Sequence, residues 1–141
     1  MSRARPALTL VALVAAGGAV GTVSRYEVGR AFPVHAGHWP TTTFAINIAG
    51  AFLLGALLEW LDRHRPDDTS LRPLLGIGVL GAFTTFSTLC AEAVLLGRGG
   101  HAPLAVAYVA SSVVTGLAAV VFGLLSTGWH TGEEPPMEGE S

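Results

Sequence analysis

The chain is poor in charge, and it contains no lysine at all. Charged residues make up 13% of its 141 residues, whereas a soluble globular domain has about 25%. Hydrophobic residues account for half of the chain. This imbalance excludes an ordinary soluble domain and indicates an integral membrane protein.

Cysteine is almost absent as well. The single cysteine, Cys90, excludes an intrachain disulfide and a cysteine-based metal site, and we interpret it as a small packing residue. His35 and His38 have no carboxylate or cysteine cluster beside them, which argues against a metal site there. Because the chain also lacks a nucleophile–base pair and a phosphate-binding loop, we predict neither an enzyme nor a nucleic-acid partner.

Four long apolar runs dominate the chain. They cover about residues 7–23, 42–61, 74–96 and 102–125, and each is long enough for the roughly 20-residue span of a transmembrane helix. Arginines precede the first run as in a signal peptide, but it continues into a glycine-rich stretch, so we interpret it as a retained helix. We therefore predict one all-α membrane domain with four transmembrane helices over residues 1–128, followed by a disordered acidic tail over 129–141.

The arginines are divided almost evenly between the two predicted sides of the membrane. The positive-inside rule relates such residues in short loops to orientation. Arg3, Arg5, Arg63, Arg65 and Arg72 would lie on one side, and Arg25, Arg30 and Arg98 on the other. This weak bias favours a cytoplasmic N-terminus but permits insertion in both orientations.

The third apolar run is interrupted by glycines and hydroxyl groups. Gly76, Gly78 and Gly81 precede the segment Phe83-Thr84-Thr85-Phe86-Ser87-Thr88. Irregular backbone at membrane depth survives only inside protein or beside a cavity, because hydrocarbon offers no hydrogen-bond partner. We therefore predict that the third helix is broken mid-membrane, and a broken helix is a candidate ion site.

Polar residues also occur inside or at the ends of the other runs. Asn47 fits either an interhelical hydrogen bond or a donor to a solute, and Thr43 lies one turn before it on the same face. Tyr108, Ser112 and Thr115 follow one side of the fourth run, where serine and threonine hydroxyls either bond to their own helix or pass a ligand along.

Arg25 fits either an interfacial anchor or an attractor of anions.

Together these groups favour a small anion as the ligand. Most of them are hydrogen-bond donors, and Phe83 and Phe86 add aromatic rings with electropositive edges. A strongly hydrated small anion needs several short hydrogen bonds to replace its lost water. Glu92 is costly inside a membrane unless it is paired or hydrated, and it lies too near the end of its run for the midplane acid of a proton-coupled carrier.

Three segments of the chain resemble the CrcB/Fluc family of fluoride channels. They are Gly17–Tyr26, Thr43–Gly55 and Gly78–Thr88, and the resemblance extends over all four runs. It implies a passive, fluoride-selective channel that exports cytoplasmic fluoride across the cell membrane and relieves its toxicity. It also implies a dual-topology, antiparallel homodimer with two pores along the dimer interface.

The resemblance assigns residues as well. Backbone carbonyls of Gly81 and Thr84 from both subunits would hold a central structural Na⁺. Leu89 stands where the family usually has a second pore phenylalanine, and leucine offers no electropositive ring edge. The implied fluoride pathway contains Arg25, Thr43, Asn47, Phe83, Phe86, Thr88, Glu92, Tyr108 and Ser112.

Two other functions remain open from the residues alone. A small proton-coupled drug exporter also has four short helices, but it needs a central acid in the first helix, which has none before Glu27. A non-transporting assembly subunit would use its glycines and Asn47 only to pack against its partners.

Overall fold

A computed structural model of the chain describes residues 4–128, with side chains described from residue 7 to residue 127. The acidic tail predicted over 129–141 lies outside the described residues. The helical elements are α1 (Ala4–Ala31), α2 (Thr41–His64), a π-helical segment (Arg72–Leu80), α3 (Gly81–Phe83), α4 (Phe86–Arg98) and α5 (Ala102–Gly128).

Four helical spans are long and apolar enough to cross a membrane, as predicted. They are Ala7–Ala31, Thr41–His64, Arg72–Arg98 and Ala102–Thr127. The third span comprises the π-helical segment, α3 and α4. The described part of the chain is therefore an all-α, four-span membrane protein.

The first span is longer than its apolar run. α1 continues to Ala31, although the prediction ended the run near residue 23. Arg25, Glu27 and Arg30 are polar but remain compatible with a helix, and Glu27 and Arg30 form an ion pair at 3.8 Å. Pro33 follows soon after α1 ends, and a helical conformation is disfavoured for the residue that precedes a proline. Polarity thus marks the edge of the apolar run, not the end of the helix.

Glycines bring the first and third spans into backbone contact. A Cβ atom added to Gly17 would collide with the carbonyl oxygen of Leu74, and one added to Gly21 would collide with that of Val79. Small residues four positions apart on a helix permit this close approach of two backbones. The contact places the end of α1 beside α3.

The second and fourth spans approach each other in the same way. A Cβ atom on Gly55 would collide with the carbonyl oxygen of Val120, and one on Gly123 would collide with that of Phe52. Each helix therefore contributes one glycine to a backbone contact with the other. This packing brings polar residues of α2 and α5 within reach of each other.

A buried aromatic cluster joins α4 and α5 to the start of α2. Tyr108 is fully buried, and it packs with Leu89 and Leu96. The Trp39 ring meets the rings of Tyr108 and Phe44 edge to face, at centroid distances of 5.6 and 5.8 Å. The cluster fixes the position of the Tyr108 hydroxyl.

The third span is not uniformly α-helical. Its first nine residues are π-helical, a rare conformation that is frequent at functional sites. α3 ends at Phe83 and α4 begins at Phe86. Between them Thr84 (φ −73°, ψ 156°) and Thr85 (φ −148°, ψ 116°) have extended backbone. We call Thr84 and Thr85 the interruption.

Candidate functional site

Two hydroxyl groups hold the carboxylate of Glu92. The Thr43 hydroxyl donates to Glu92 Oε1 at 2.8 Å, and the Tyr108 hydroxyl donates to Oε2 at 2.7 Å. Thr43 and Tyr108 are buried, whereas Glu92 is half-buried. These hydrogen bonds from α2 and α5 offset the cost of placing a carboxylate in a span. Sequence reasoning selected all three residues but did not predict that they touch.

A cleft opens beside this carboxylate. Its volume is about 530 Å³, and it lies among α1, α2 and α4. Arg25 and Arg30 of α1 line it together with Thr43, Thr88 and Glu92. Four residues predicted for the pathway therefore share one cavity. Arginines at the wall of a cleft attract anions, and here they share the wall with the carboxylate of Glu92.

A second cavity lies against the interruption. Its volume is about 290 Å³, and its lining includes Asn47, Gly50, Thr84 and Phe86. Thr85 lines both this cavity and the cleft. The interruption thus separates two groups of predicted pathway residues.

The side-chain amide of Asn47 binds the backbone of the interruption at two points. Its Nδ2 donates to the Thr85 carbonyl at 3.0 Å, and its Oδ1 accepts from the Thr85 N–H at 2.8 Å. Of the two roles left open by the sequence, the interhelical hydrogen bond is therefore present. One N–H of the amide remains for another acceptor, because an NH₂ group has two donors.

Thr85 also caps the start of α4. Its Oγ1 accepts from the Thr88 N–H at 3.2 Å and is 2.9 Å from the Thr88 hydroxyl oxygen. This is an N-cap bond, for which threonine is a preferred residue. Sequence reasoning did not select Thr85, although a hydroxyl residue just before an apolar helical run is the usual signal.

Arg25 reaches the other end of the interruption. Its Nε donates to the Ala82 carbonyl at 3.1 Å. A cationic donor at the C-terminal end of a helix satisfies an exposed carbonyl and complements the helix dipole. Arg25 therefore both lines the cleft and caps α3.

Comparison with known proteins identifies the family. The profile described as "CrcB-like protein, Camphor Resistance (CrcB)" matches residues 12–124. The chain belongs to the CrcB family. With its four apolar spans, this CrcB chain is a multi-pass protein of the cell membrane.

Several relatives of this CrcB chain bear the name "Fluoride-specific ion channel FluC". The one from Novosphingobium aromaticivorans is 45% identical over 120 residues, covering 83% of this chain and 94% of that protein. The one from Caulobacter vibrioides is 47% identical over 116 residues, covering 80% and 91%. The one from Agrobacterium fabrum is 44% identical over 115 residues, covering 81% and 92%. The resemblance to the CrcB/Fluc family is confirmed, and these names are those of channels rather than enzymes.

Phe83 and Phe86, both predicted for the pathway, differ in exposure. Phe86 is 77% exposed on the described chain, whereas Phe83 is half-buried beside Gly50. Leu89 is only 6% exposed, because it packs into the cluster around Tyr108. The position that departs from the family's usual phenylalanine therefore faces the interior of this chain.

Hydroxyls of the fourth span bond to their own helix. Ser112 donates to the Tyr108 carbonyl at 2.7 Å, and Thr115 donates to the Ser111 carbonyl at 2.6 Å. This is the helix-bonding alternative for these side chains. Ser112 is buried and lies outside the linings of the two cavities, so its place in the pathway stays a prediction.

Gly81 and Thr84 are among the residues at the interruption whose carbonyls lack their helical donors. In a continuous α-helix, the Thr85 N–H would bond to the Gly81 carbonyl, and the Thr88 N–H would bond to the Thr84 carbonyl. Here the first N–H donates to Asn47 and the second to the Thr85 hydroxyl. Unwound carbonyls of this kind are suited to coordinating Na⁺. The Na⁺ site that the resemblance implies at the Gly81 and Thr84 carbonyls stays a prediction.

Proposed function

We propose that this CrcB chain is a passive, fluoride-selective channel that exports cytoplasmic fluoride and so relieves its toxicity. The observation that carries the proposal is the 45% identity to the Fluoride-specific ion channel FluC of N. aromaticivorans over 94% of that protein. A channel needs no reaction chemistry, in agreement with the prediction that the chain is not an enzyme.

The two cavities supply the groups that such a pathway requires. Arg25 attracts an anion into the cleft, where the Thr88 hydroxyl replaces part of its water. Thr43 lines the same cleft, with its hydroxyl proton donated to Glu92. On the far side of Thr85, the free N–H of Asn47 and the ring edge of Phe86 offer further electropositive contacts. Phe83, Glu92, Tyr108 and Ser112 complete the proposed pathway.

The functional unit in this proposal is an antiparallel homodimer in the bilayer. Phe86 and Gly81 are exposed on the single chain, beside backbone that lacks helical hydrogen bonds. Lipid cannot satisfy such backbone, but a second copy can cover it. The weak arginine bias permits two copies to insert in opposite orientations. The interruption then lies mid-membrane at the interface, with one pore on each side.

Na⁺ is the structural ion of the proposed dimer. The Gly81 and Thr84 carbonyls of two copies would form its ligand set, and neutral oxygens are suitable donors for this hard cation. When bound, the ion supplies a fixed positive charge that favours nearby anions.

The test is ion flux from liposomes that contain the purified chain alone. We expect rapid fluoride efflux with chloride largely excluded and without proton coupling. A negative-inside potential drives the anion outward by about 2.3 kcal/mol per 100 mV. Absence of flux would support a non-transporting subunit instead, and cation transport driven by a pH gradient would support an exporter.

A further inference from the structure

The interruption leaves backbone groups that need new partners. Buried N–H and C=O groups are almost always hydrogen-bonded, and a break in a helix removes several of these bonds at once. Here the replacements come from side chains of two other spans. Arg25 belongs to α1 and Asn47 to α2.

The replacement bonds fall in a definite pattern. Arg25 occupies the Ala82 carbonyl, and Asn47 occupies both backbone groups of Thr85. The Gly81 and Thr84 carbonyls, on either side of Ala82, are left without helical donors. Asn47 therefore leaves the Gly81 oxygen open by accepting from the Thr85 N–H, whereas the Thr85 hydroxyl leaves the Thr84 oxygen open by accepting from the Thr88 N–H.

We propose that Arg25 and Asn47 are positioning residues that hold the interruption extended, and that Asn47 thereby keeps the Gly81 carbonyl free of its helical hydrogen bond. The Asn47 side chain accepts a hydrogen bond from the Thr85 N–H, which in a continuous α-helix would donate to the Gly81 carbonyl. Arg25 holds the C-terminal end of α3 in place through its hydrogen bond to the Ala82 carbonyl. Their consequence for ion selectivity rests on the proposed function, but their effect on the backbone does not.

A purely electrostatic role for Arg25 makes a different prediction. Arg30 lines the same cleft and carries the same charge, but it pairs with Glu27 at 3.8 Å on the exposed side of α1. If only charge mattered, removing either arginine would leave the interruption unchanged. If Arg25 positions the backbone, only its removal will disturb Thr84 and Thr85.

Hydrogen–deuterium exchange of the full-length protein in liposomes tests the proposal. Thr85 and Thr88 line the open cleft, so water reaches this segment. We expect peptides that cover Thr84–Thr88 to exchange several-fold to about tenfold faster in Asn47→Leu, since one hydrogen bond contributes about that much to protection. Arg25→Met should give a similar change, and Arg30→Met should exchange like the wild type.

The variant Asn47→Asp provides a second measurement in case Asn47→Leu does not fold. Its carboxylate still accepts from the Thr85 N–H but no longer donates to the Thr85 carbonyl. We therefore expect its exchange to lie between that of wild type and Asn47→Leu, with fluoride-to-chloride selectivity reduced. Unchanged exchange in Asn47→Asp, and in Asn47→Leu where it folds, would overturn the proposal. A wild-type protein without fluoride flux would instead refute the channel function and leave the exchange result standing.

Discussion

At the scale of single residues, the carboxylate of Glu92 depends on its two hydroxyl partners. Tyr108 is fully buried, so its hydroxyl has no access to water when it donates to Glu92. Thr43 approaches the other carboxylate oxygen from a different helix. Three spans therefore meet at one charged group, and removal of either hydroxyl leaves an oxygen without that donor.

The variant Tyr108→Phe isolates this interaction. It retains the ring that packs against Trp39 but removes the donor, so we expect the free energy of unfolding to fall by about 1–2 kcal/mol. Tyr26→Phe is the matched control, because Tyr26 is 62% exposed and exposed changes alter stability by less than about 0.5 kcal/mol. Denaturation in detergent measures both, and equal effects would argue against a role for the Glu92 contact.

Phe86 is the residue whose exposure points most directly to function. We expect Phe86→Ile to lower fluoride efflux from liposomes by about tenfold, because loss of a favourable ring contact of about 1.4 kcal/mol corresponds to that factor. Phe122→Ile on α5 is the control, since Phe122 is similarly exposed at 66% and lies outside the proposed pathway. Equal efflux in both variants and the wild type would remove Phe86 from the pathway.

Sequence reasoning selected polar residues one at a time and could not pair them. Thr43, Glu92 and Tyr108 come from three apolar runs, and periodicity within one helix carries no information on distances between helices. The same limit applies to Asn47, for which both roles were compatible with the sequence. The contact with Thr85 became visible only once α2 and the third span were placed side by side.

At the scale of helices, glycines set the distance between the first and third spans. Gly21 faces the Val79 carbonyl, whereas a Cβ atom on nearby Gly18 would meet nothing within 4 Å. The two positions lie on the same helix in the same run of small residues. They therefore allow one substitution to be compared in two packing environments.

We expect Gly21→Ala to destabilise the protein by about 1–3 kcal/mol, because the added methyl must push two backbones apart. Gly18→Ala should be neutral or stabilising by up to about 1 kcal/mol, since alanine favours helix more than glycine does. Thermal unfolding in detergent measures both effects. A destabilisation of equal size at both positions would show that close packing is not the cause.

The helix boundaries show which local sequence signals are sufficient to predict where a helix begins or ends. Four spans follow directly from length and composition, and a helical stop before Pro33 follows from local chemistry. The nine-residue π-helical segment has no comparable signal in the sequence. The N-cap at Thr85 did have one, because a hydroxyl residue precedes the apolar run of α4.

At the scale of the whole molecule, the proposed antiparallel dimer depends on a chain that inserts both ways. Five arginines on one side and three on the other give only a weak preference for one orientation. A few added charges should therefore suffice to fix the orientation. The two loops that would carry them are exposed, so the substitutions need not disturb packing.

Two oppositely biased variants test this arrangement. Asp67→Arg with Thr69→Arg adds positive charge to the loop before the third span, and His35→Arg with Ala36→Arg adds it to the loop on the other side; all four positions are exposed. Each variant alone should insert in one orientation and conduct little fluoride, because an antiparallel partner is then scarce. Expression of both together should restore fluoride efflux from cells toward the wild-type rate. If either variant alone conducts like the wild type while accessibility labelling shows a single orientation, an antiparallel partner is not required and one copy, or a parallel pair, forms the pathway.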